Sequence, residues 1–299
     1  LAKTLRKEDT NTCRRIWISF IRSGMEKLEI LHKASDLIKK SNRTLFLTSA
    51  GMSADSNIPT FRDKDGYWKN FPPFKEKNLE AQDLASPWAF RNELPHAWAF
   101  YEWRRRNADE NQPHEGYKII NKWLEAQDGF IHTTNTDGLH LRSGCPEDKI
   151  LEVHGSMWRL QCLDTCSYQF WEDISVPFCD LNTGSMKASN YPVCRNCRGI
   201  ARPHILMFGD GEYIGHPEQE GSFKRFVQEP IDLAILVGSS GAVPTNDYIA
   251  LHLMERGTPV INVNLDPSSN RIVNTDYFLE MKGKEAFVEL DRITFGGSA

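Results

Sequence analysis

Apolar residues in 25–40 recur at helical spacing. Leu28, Leu31, Ala34, Leu37 and Ile38 share one face, and charges fill the other. The pattern predicts an amphipathic helix. The period then changes. Leu45-Phe46-Leu47 is a short apolar run leading into Ser49-Ala50-Gly51, which reads as strand, tight turn and helix. Residues 130–133 and 150–153 read as further strands, and 231–237 as the clearest buried one. The last runs into Gly238-Ser239-Ser240-Gly241. A helix follows over 247–256 with Gly257 as its stop, and 260–265 is the next strand. Apolar strands alternating with helices imply βαβ units, hence an α/β fold on a mainly parallel sheet. Such sheets bind ligands at the carboxyl ends of their strands. Chemistry is therefore expected in the loops opening at Ser49, Thr134, His154 and Gly238.

Two stretches interrupt this alternation. Residues 63–127 are crowded with charges and aromatics, among them Trp68, Phe74, Trp88, Phe100, Tyr101 and Trp103. Helices and loops over the sheet edge are expected there. Residues 156–203 hold Cys162, Cys166, Cys179, Cys194 and Cys197. Cys162-x3-Cys166 and Cys194-x2-Cys197 are two close pairs that supply four thiolates. That donor set suits tetrahedral zinc with no open position, which holds structure and does no chemistry. Buried free thiols or a disulfide are the bland alternative, and Cys179 is a bystander or a substitute ligand.

Of the 299 residues, 40% are hydrophobic, which supports a sizeable core and argues against global disorder. A net charge of −4 gives no basis for nucleic-acid affinity by bulk charge. No window holds 18 consecutive apolar residues, so no membrane span is expected. Seven cysteines are an odd count and a poor disulfide framework. Arg14, Arg15 and Arg22 flank the short apolar run 16–21, which does not read as a signal peptide. A reducing, cytoplasmic compartment is expected. Residues 1–23 lack clear periodicity and are a tail of unknown role.

The chemistry-bearing motifs follow the strands. Ser49 to Arg62 reads SAGMSADSNIPTFR, with Gly66-Tyr67-Trp68 close behind. A turn between strand and helix can present backbone N–H groups to a dinucleotide's phosphates. The full G-x-G-x-x-G pattern is absent, since Ser49 and Ala54 stand at its outer glycines. Next come Thr134-Asn135-Thr136-Asp137-Gly138-Leu139-His140, Val153-His154-Gly155-Ser156, the cysteine pairs, 202–210 reading RPHILMFGD, Gly238-Ser239-Ser240, and Asn262. This succession resembles the sirtuin family. Its patterns G-A-G-x-S-x-x-S-G-I-P-x-F-R, T-Q-N-I-D-G-L-H, L-H-G-S, R-P-x-V-V-W-F-G-E and G-T-S occur in the same order.

The resemblance implies an NAD-dependent protein-lysine deacylase with NAD as co-substrate, one structural zinc, and acyl-lysine proteins or peptides as partners. It implies a discontinuous Rossmann-like domain (24–62, 129–155, 204–290), a helical insertion (63–128) and a zinc module (156–203), with the substrates meeting in the cleft between them. His154 is then the general base that activates a ribose hydroxyl, as suits a pKa near working pH. Asn135 orients water and ribose, and Asp137 accepts from the nicotinamide carboxamide. Phe61 and Arg62 cover the nicotinamide ribose and exclude water. Ala50, Gly51, Ser53, Thr134, Gly238, Ser239, Ser240 and Asn262 line the phosphates and riboses. Leu206, Met207, Phe208 and Gly209 pair with the extended substrate backbone by β-augmentation. Ser49 and Asn57 replace glycines of the pattern, Thr134 a glutamine and Thr136 an isoleucine. Ser49 and Thr134 are expected to weaken cofactor binding or slow turnover without abolishing it.

Within the family, Thr60, Gly66-Tyr67-Trp68 and 81–85 resemble class III members, which prefer succinyl, malonyl or glutaryl groups. Their Tyr-x-x-Arg mark falls on Tyr101 and Arg104, with Ala85 as the small pocket residue. One helical turn apart, a phenol and a guanidinium share a face and can bind one carboxylate. The bland alternative is a solvated basic stripe of Arg104, Arg105 and Arg106 beside a packing tyrosine. Other functions weighed are a deacetylase of broad acyl tolerance, an NAD glycohydrolase or ADP-ribosyltransferase, and a binding module that senses NAD.

Overall fold

The computed structural model describes residues 24–60, 71–267 and 272–296. Helix α1 (24–40) leads into strand β1 (Arg43–Thr48), helix α2 (Ala50–Ala54), a run of helices, β2 (Asp128–Thr133) and β3 (Ile150–Glu152). The chain then leaves for β4 (Gly155–Cys162), β5 (Phe170–Glu172), β6 (Asp180–Asn182), β7 (Lys187–Ser189) and β8 (Ala201–Ile205). It returns for β9 (Leu233–Val237), β10 (Val260–Asn264) and β11 (Phe278–Glu280). The central sheet runs β11-β10-β9-β1-β2-β3, and every pairing is parallel. Residues of β9 and β10 are buried without alternation, as strands covered on both faces require.

The helices of the run are α3 (Pro72–Glu76), α4 (Ala81–Leu84), α5 (Pro87–Asn92), α6 (Leu94–Glu110) and α7 (Glu115–Ala126). The sequence reading assigns all of 63–128 to an insertion, but α7 packs on the sheet. Its Tyr117, Ile120 and Trp123 join Leu31, Phe46, Ile235 and Phe287 in one core. Phe287 lies on α11 (α8 and α9 being Leu139–Arg142 and Pro217–Phe226, α10 Thr245–Glu255), a helix over Gly283–Phe295 that the pattern reading leaves unassigned. Its buried Ala286, Phe287 and Leu290 recur at helical spacing. Strand β11 is three residues long and is likewise unassigned there.

A second core joins α6 to the antiparallel β5-β4-β8 sheet. Phe90, Trp98, Phe100 and Tyr101 pack with Met157, Leu160, Cys179, Ala188 and Ile205. Three charges of α6 reinforce it. The buried Arg105 donates to the carbonyls of Met157 (2.5 Å), Asp173 (3.0 Å) and Ser175, and its guanidinium lies 3.3 Å from the Phe178 ring centroid. Glu102 is buried, holds Arg106 at 2.7 Å and accepts from Phe178 N at 3.0 Å. Arg105 and Arg106 are therefore staples, not members of a solvated stripe, because carbonyls and a carboxylate meet them at the interface.

Candidate functional site

The four Sγ atoms of Cys162, Cys166, Cys194 and Cys197 lie within 4.8 Å of one another. The separations Cys162–Cys197 of 3.7 Å and Cys166–Cys194 of 3.5 Å exceed the roughly 2 Å of a disulfide. Donors point at the sulfurs: Asn196 N at Cys194 (3.4 Å), Gly199 N at Cys197 (3.4 Å) and Asn196 Nδ2 at Cys166 (3.3 Å). Four convergent, N–H-solvated sulfurs are the donor set of a closed structural zinc. Cys179 is buried in the second core, outside the cluster.

A cavity of about 1080 Å³ separates the carboxyl ends of the parallel strands from the second core. Ser49, Ala50 and Ser53 enter after β1, Thr134 to Asp137 after β2, His154 after β3, and Ser239 and Ser240 after β9. Ala85, Tyr101, Arg104 and the 206–209 loop close the opposite wall. Phe61, Arg62 and Gly66 to Trp68 lie outside the described residues.

The site's hydrogen bonds are dense. Asn135 Nδ2 donates to Ser49 O and Ser53 Oγ, each at 3.0 Å, leaving Oδ1 as its atom with capacity for a ligand. Ser53 Oγ donates to Asp137 Oδ2 at 2.6 Å, and Leu139 N to Oδ1 at 3.0 Å. Burial raises the Asp137 pKa, against the pull of those two bonds. His154 is half-buried at the β3 exit. Burial lowers its pKa, and a hydrogen bond with the Thr134 backbone pulls the other way. Gly155 beyond it has φ +77°, and a Cβ there would lie 2.1 Å from His204 O, so only glycine fits.

Tyr101 and Arg104 face the cavity from α6. The Tyr101 hydroxyl is buried with no hydrogen-bond partner among the described residues, and burial pushes its pKa up to about 12. The Arg104 guanidinium carbon sits 5.5 Å from the Tyr101 ring centroid, and Nη2 donates to Thr136 Oγ1 at 3.3 Å. The 206–209 loop is turned, not extended. Asp210 N donates to Met207 O at 3.2 Å, Gly209 has φ +69°, and Phe208 N already donates to Ala85 O at 2.9 Å. A fully buried ion pair anchors the turn: Arg202 meets Asp210 at 2.7 and 3.1 Å.

A profile of the Sir2 family matches residues 49–245. The chain belongs to the Sir2 family. It is 31% identical over 264 residues to the NAD-dependent protein deacylase of Pyrococcus furiosus, covering 87% of this chain and 96% of that protein. It is 34% identical over 219 residues to the NAD-dependent protein deacylase of Aquifex aeolicus, covering 73% and 81%. Among solved structures, a Sir2 homologue in complex with NAD superposes with a TM-score of 0.70 at 29% identity, covering 88% of this chain and 93% of that one.

Three residues assigned to cofactor contacts sit differently in this Sir2 chain. Gly51 and Gly238 are absent from the cavity lining and let two loops touch. A Cβ on Gly51 would lie 2.6 Å from Gly238 Cα, and Gly51 N donates to Gly238 O at 3.0 Å. Asn262 is fully buried inside β10 and lines no part of the cavity, because the strand continues two residues beyond it. Asn264, at the end of β10 with the same side-chain alternation, donates to Ser239 O. Residues the sequence reading missed lie beneath the loops. Asp247 accepts from Ser239 Oγ at 2.5 Å, Asn246 reaches Thr48 O at 2.8 Å, and Tyr117 meets Ser53 Oγ at 3.0 Å. Asn246-Asp247 at the start of α10 is the one pattern signal that could have found part of this network. No helix among the described residues is long and apolar enough to cross a membrane.

Proposed function

We propose that this Sir2-family enzyme, an NAD-dependent protein deacylase, favours lysines carrying acidic acyl groups (succinyl, malonyl or glutaryl) over acetyl-lysine. The observation that carries the preference is the buried Tyr101 hydroxyl, without a hydrogen-bond partner among the described residues, beside Arg104 in the cavity wall. A phenol donor and a guanidinium one turn apart match a carboxylate, a group that acetyl does not offer. Ala85 leaves room in the same wall.

Bound NAD supplies the ribose to which the acyl group passes. His154, with its pKa lowered by burial, is neutral at neutral pH and takes a proton from a ribose hydroxyl. Asn135 Oδ1 orients ribose and water, and Asp137 accepts from the carboxamide while Ser53 and Leu139 N hold its carboxylate. Ala50, Ser53, Thr134, Ser239 and Ser240 line the nucleotide. A peptide main chain adds to Leu206–Gly209 once the Phe208 N–H leaves Ala85 O. The four cysteines hold the structural zinc.

Parallel kinetics on succinyl, malonyl and acetyl forms of one peptide test the preference. Succinyl or malonyl is expected to exceed acetyl by roughly 10- to 150-fold in kcat/KM. Arg104→Met removes that advantage and leaves deacetylation nearly unchanged, and Tyr101→Phe does so more weakly. An equal fall on all three peptides would make Arg104 a structural residue. NAD consumption without peptide would point instead to a glycohydrolase.

A further inference from the structure

Ser49 and Thr134 are two of the departures from the sirtuin pattern at the nucleotide loops, and the fold brings them into contact. Thr134 Oγ1 has one proton and two acceptors in reach, Ser49 Oγ at 3.1 Å and Thr48 O at 3.4 Å. Thr48 O already takes Thr134 N at 3.0 Å and Asn246 Nδ2 at 2.8 Å, so the proton goes to the nearer Ser49 Oγ, to which Asn246 Nδ2 also donates at 3.2 Å. Asn246 is fully buried, and its orientation is set from two sides. Thr48 O, which can only accept, takes Nδ2 at 2.8 Å. His132 Nδ1 lies 2.7 Å from Oδ1 and therefore carries the proton.

Ser49 Oγ thus receives two hydrogen bonds. A hydroxyl accepts two and donates one, so both acceptor positions are filled and its own proton is unspent. A serine at the first cap of a helix ordinarily gives its oxygen to the leading N–H groups. Ser49 caps α2 and makes no such bond. Its side chain is held by the buried Asn246 and the half-buried Thr134, the residue is 6% exposed, and it lines the cavity. Two incoming donors leave the outgoing proton as the one polar function this side chain can offer a ligand.

We propose that Ser49 donates this proton to a phosphate or ribose oxygen of the bound dinucleotide, with Thr134, Asn246 and His132 as its positioning residues. The inference rests on the reading of the cavity as the NAD site. The family's glycine has no side chain to make this contact, so Ser49 adds a cofactor bond where a loss of affinity would otherwise be expected.

Titration calorimetry of NAD and of ADP-ribose into the full chain tests it. Ser49→Ala is expected to raise both dissociation constants about tenfold. Ser49→Gly gives a second variant with the same expected loss. Calorimetry reports stoichiometry apart from affinity, so partial unfolding lowers the former and does not mimic the latter. Thr134→Val should weaken binding in the native background yet change it by less than roughly twofold in the Ser49→Ala background, since it acts through Ser49. Native affinity in both Ser49 variants overturns the proposal, and additive losses overturn the positioning role of Thr134. If the unaltered chain binds neither ligand, the NAD reading itself falls, and this one with it.

Discussion

A general base must be neutral at the pH at which it works, and the surroundings of His154, proposed for that role, favour its neutral form. Burial at the β3 exit disfavours the imidazolium more than the Thr134 backbone favours it. Its pKa therefore lies below the ordinary 6.5. The sign follows: the active, unprotonated form persists above that pKa, and activity is lost only as pH falls through it. The acid limb of kcat/KM with succinyl-peptide is expected below pH 6.5, set by the lowered pKa. His154→Ala should lower deacylation by roughly 10²-fold or more and remove that limb, with NAD affinity nearly unchanged. A variant that keeps the limb would assign it to another group. His154 stood out in the sequence because it follows a strand beside a glycine of the sirtuin-like motif, and the structure places it in the cavity lining two residues after β3. Asn246 and Asp247 were not legible, because an Asn-Asp pair at a helix start usually serves as a cap. Only the folded chain places these two under the loops of β1 and β9. Asn262 was misplaced for a related reason. Alternation names the face of a strand, but the strand's end decides which residue on that face reaches the ligand.

At the scale of elements, the loop after β8 shows how a short turn is held in register. Arg202 sits in β8 with no exposed side-chain surface, and its fork meets both oxygens of Asp210. Asp210 Oδ2 also accepts from Met207 N at 3.3 Å, and Oδ1 from Glu212 N at 2.9 Å. One carboxylate thus holds the turn from Met207 to Glu212, beside which Leu206 and Phe208 are 39% and 49% exposed in the wall proposed to take the peptide. Removing one member of a buried pair strands the other charge, at a cost of about 3–5 kcal/mol. Asp210→Asn is expected to lower stability by that order in urea unfolding and to raise KM for peptide more than KM for NAD. Equal rises in both would show that the pair serves the whole cleft and not the peptide loop. The parallel strands were readable as apolar runs, and the cysteine pairs by their spacing. The staple role of Arg105 was not, since a run of three arginines looks solvated until the carbonyls of Met157, Asp173 and Ser175 are in place.

The molecule divides by packing into a sheet layer and a second body, and the second body is one unit although the chain enters it twice. Helix α6 and the zinc-bearing strands share an apolar core, with Arg105, Glu102 and Arg106 tying them across it. Tyr101 and Arg104 ride on that helix, so the proposed acyl pocket depends on the zinc module. Structural zinc contributes folding free energy directly, and its loss removes the support for β4, β8 and the 194–199 turn. Those elements cover Phe90, Trp98 and Phe100, which cannot stay buried without them. Chelation should therefore release one zinc per chain and unfold α6 together with the cysteine module. The β1, β9 and β10 strands, with their own cores on each face, should remain folded. Hydrogen exchange followed by mass spectrometry measures this: peptides from 94–110 and from 155–205 should lose protection together, while those from 43–48, 233–237 and 260–264 keep theirs. Desuccinylation should fall with that loss. If 94–110 stays protected after zinc release, α6 draws its stability from the sheet layer, and the acyl pocket is independent of the metal.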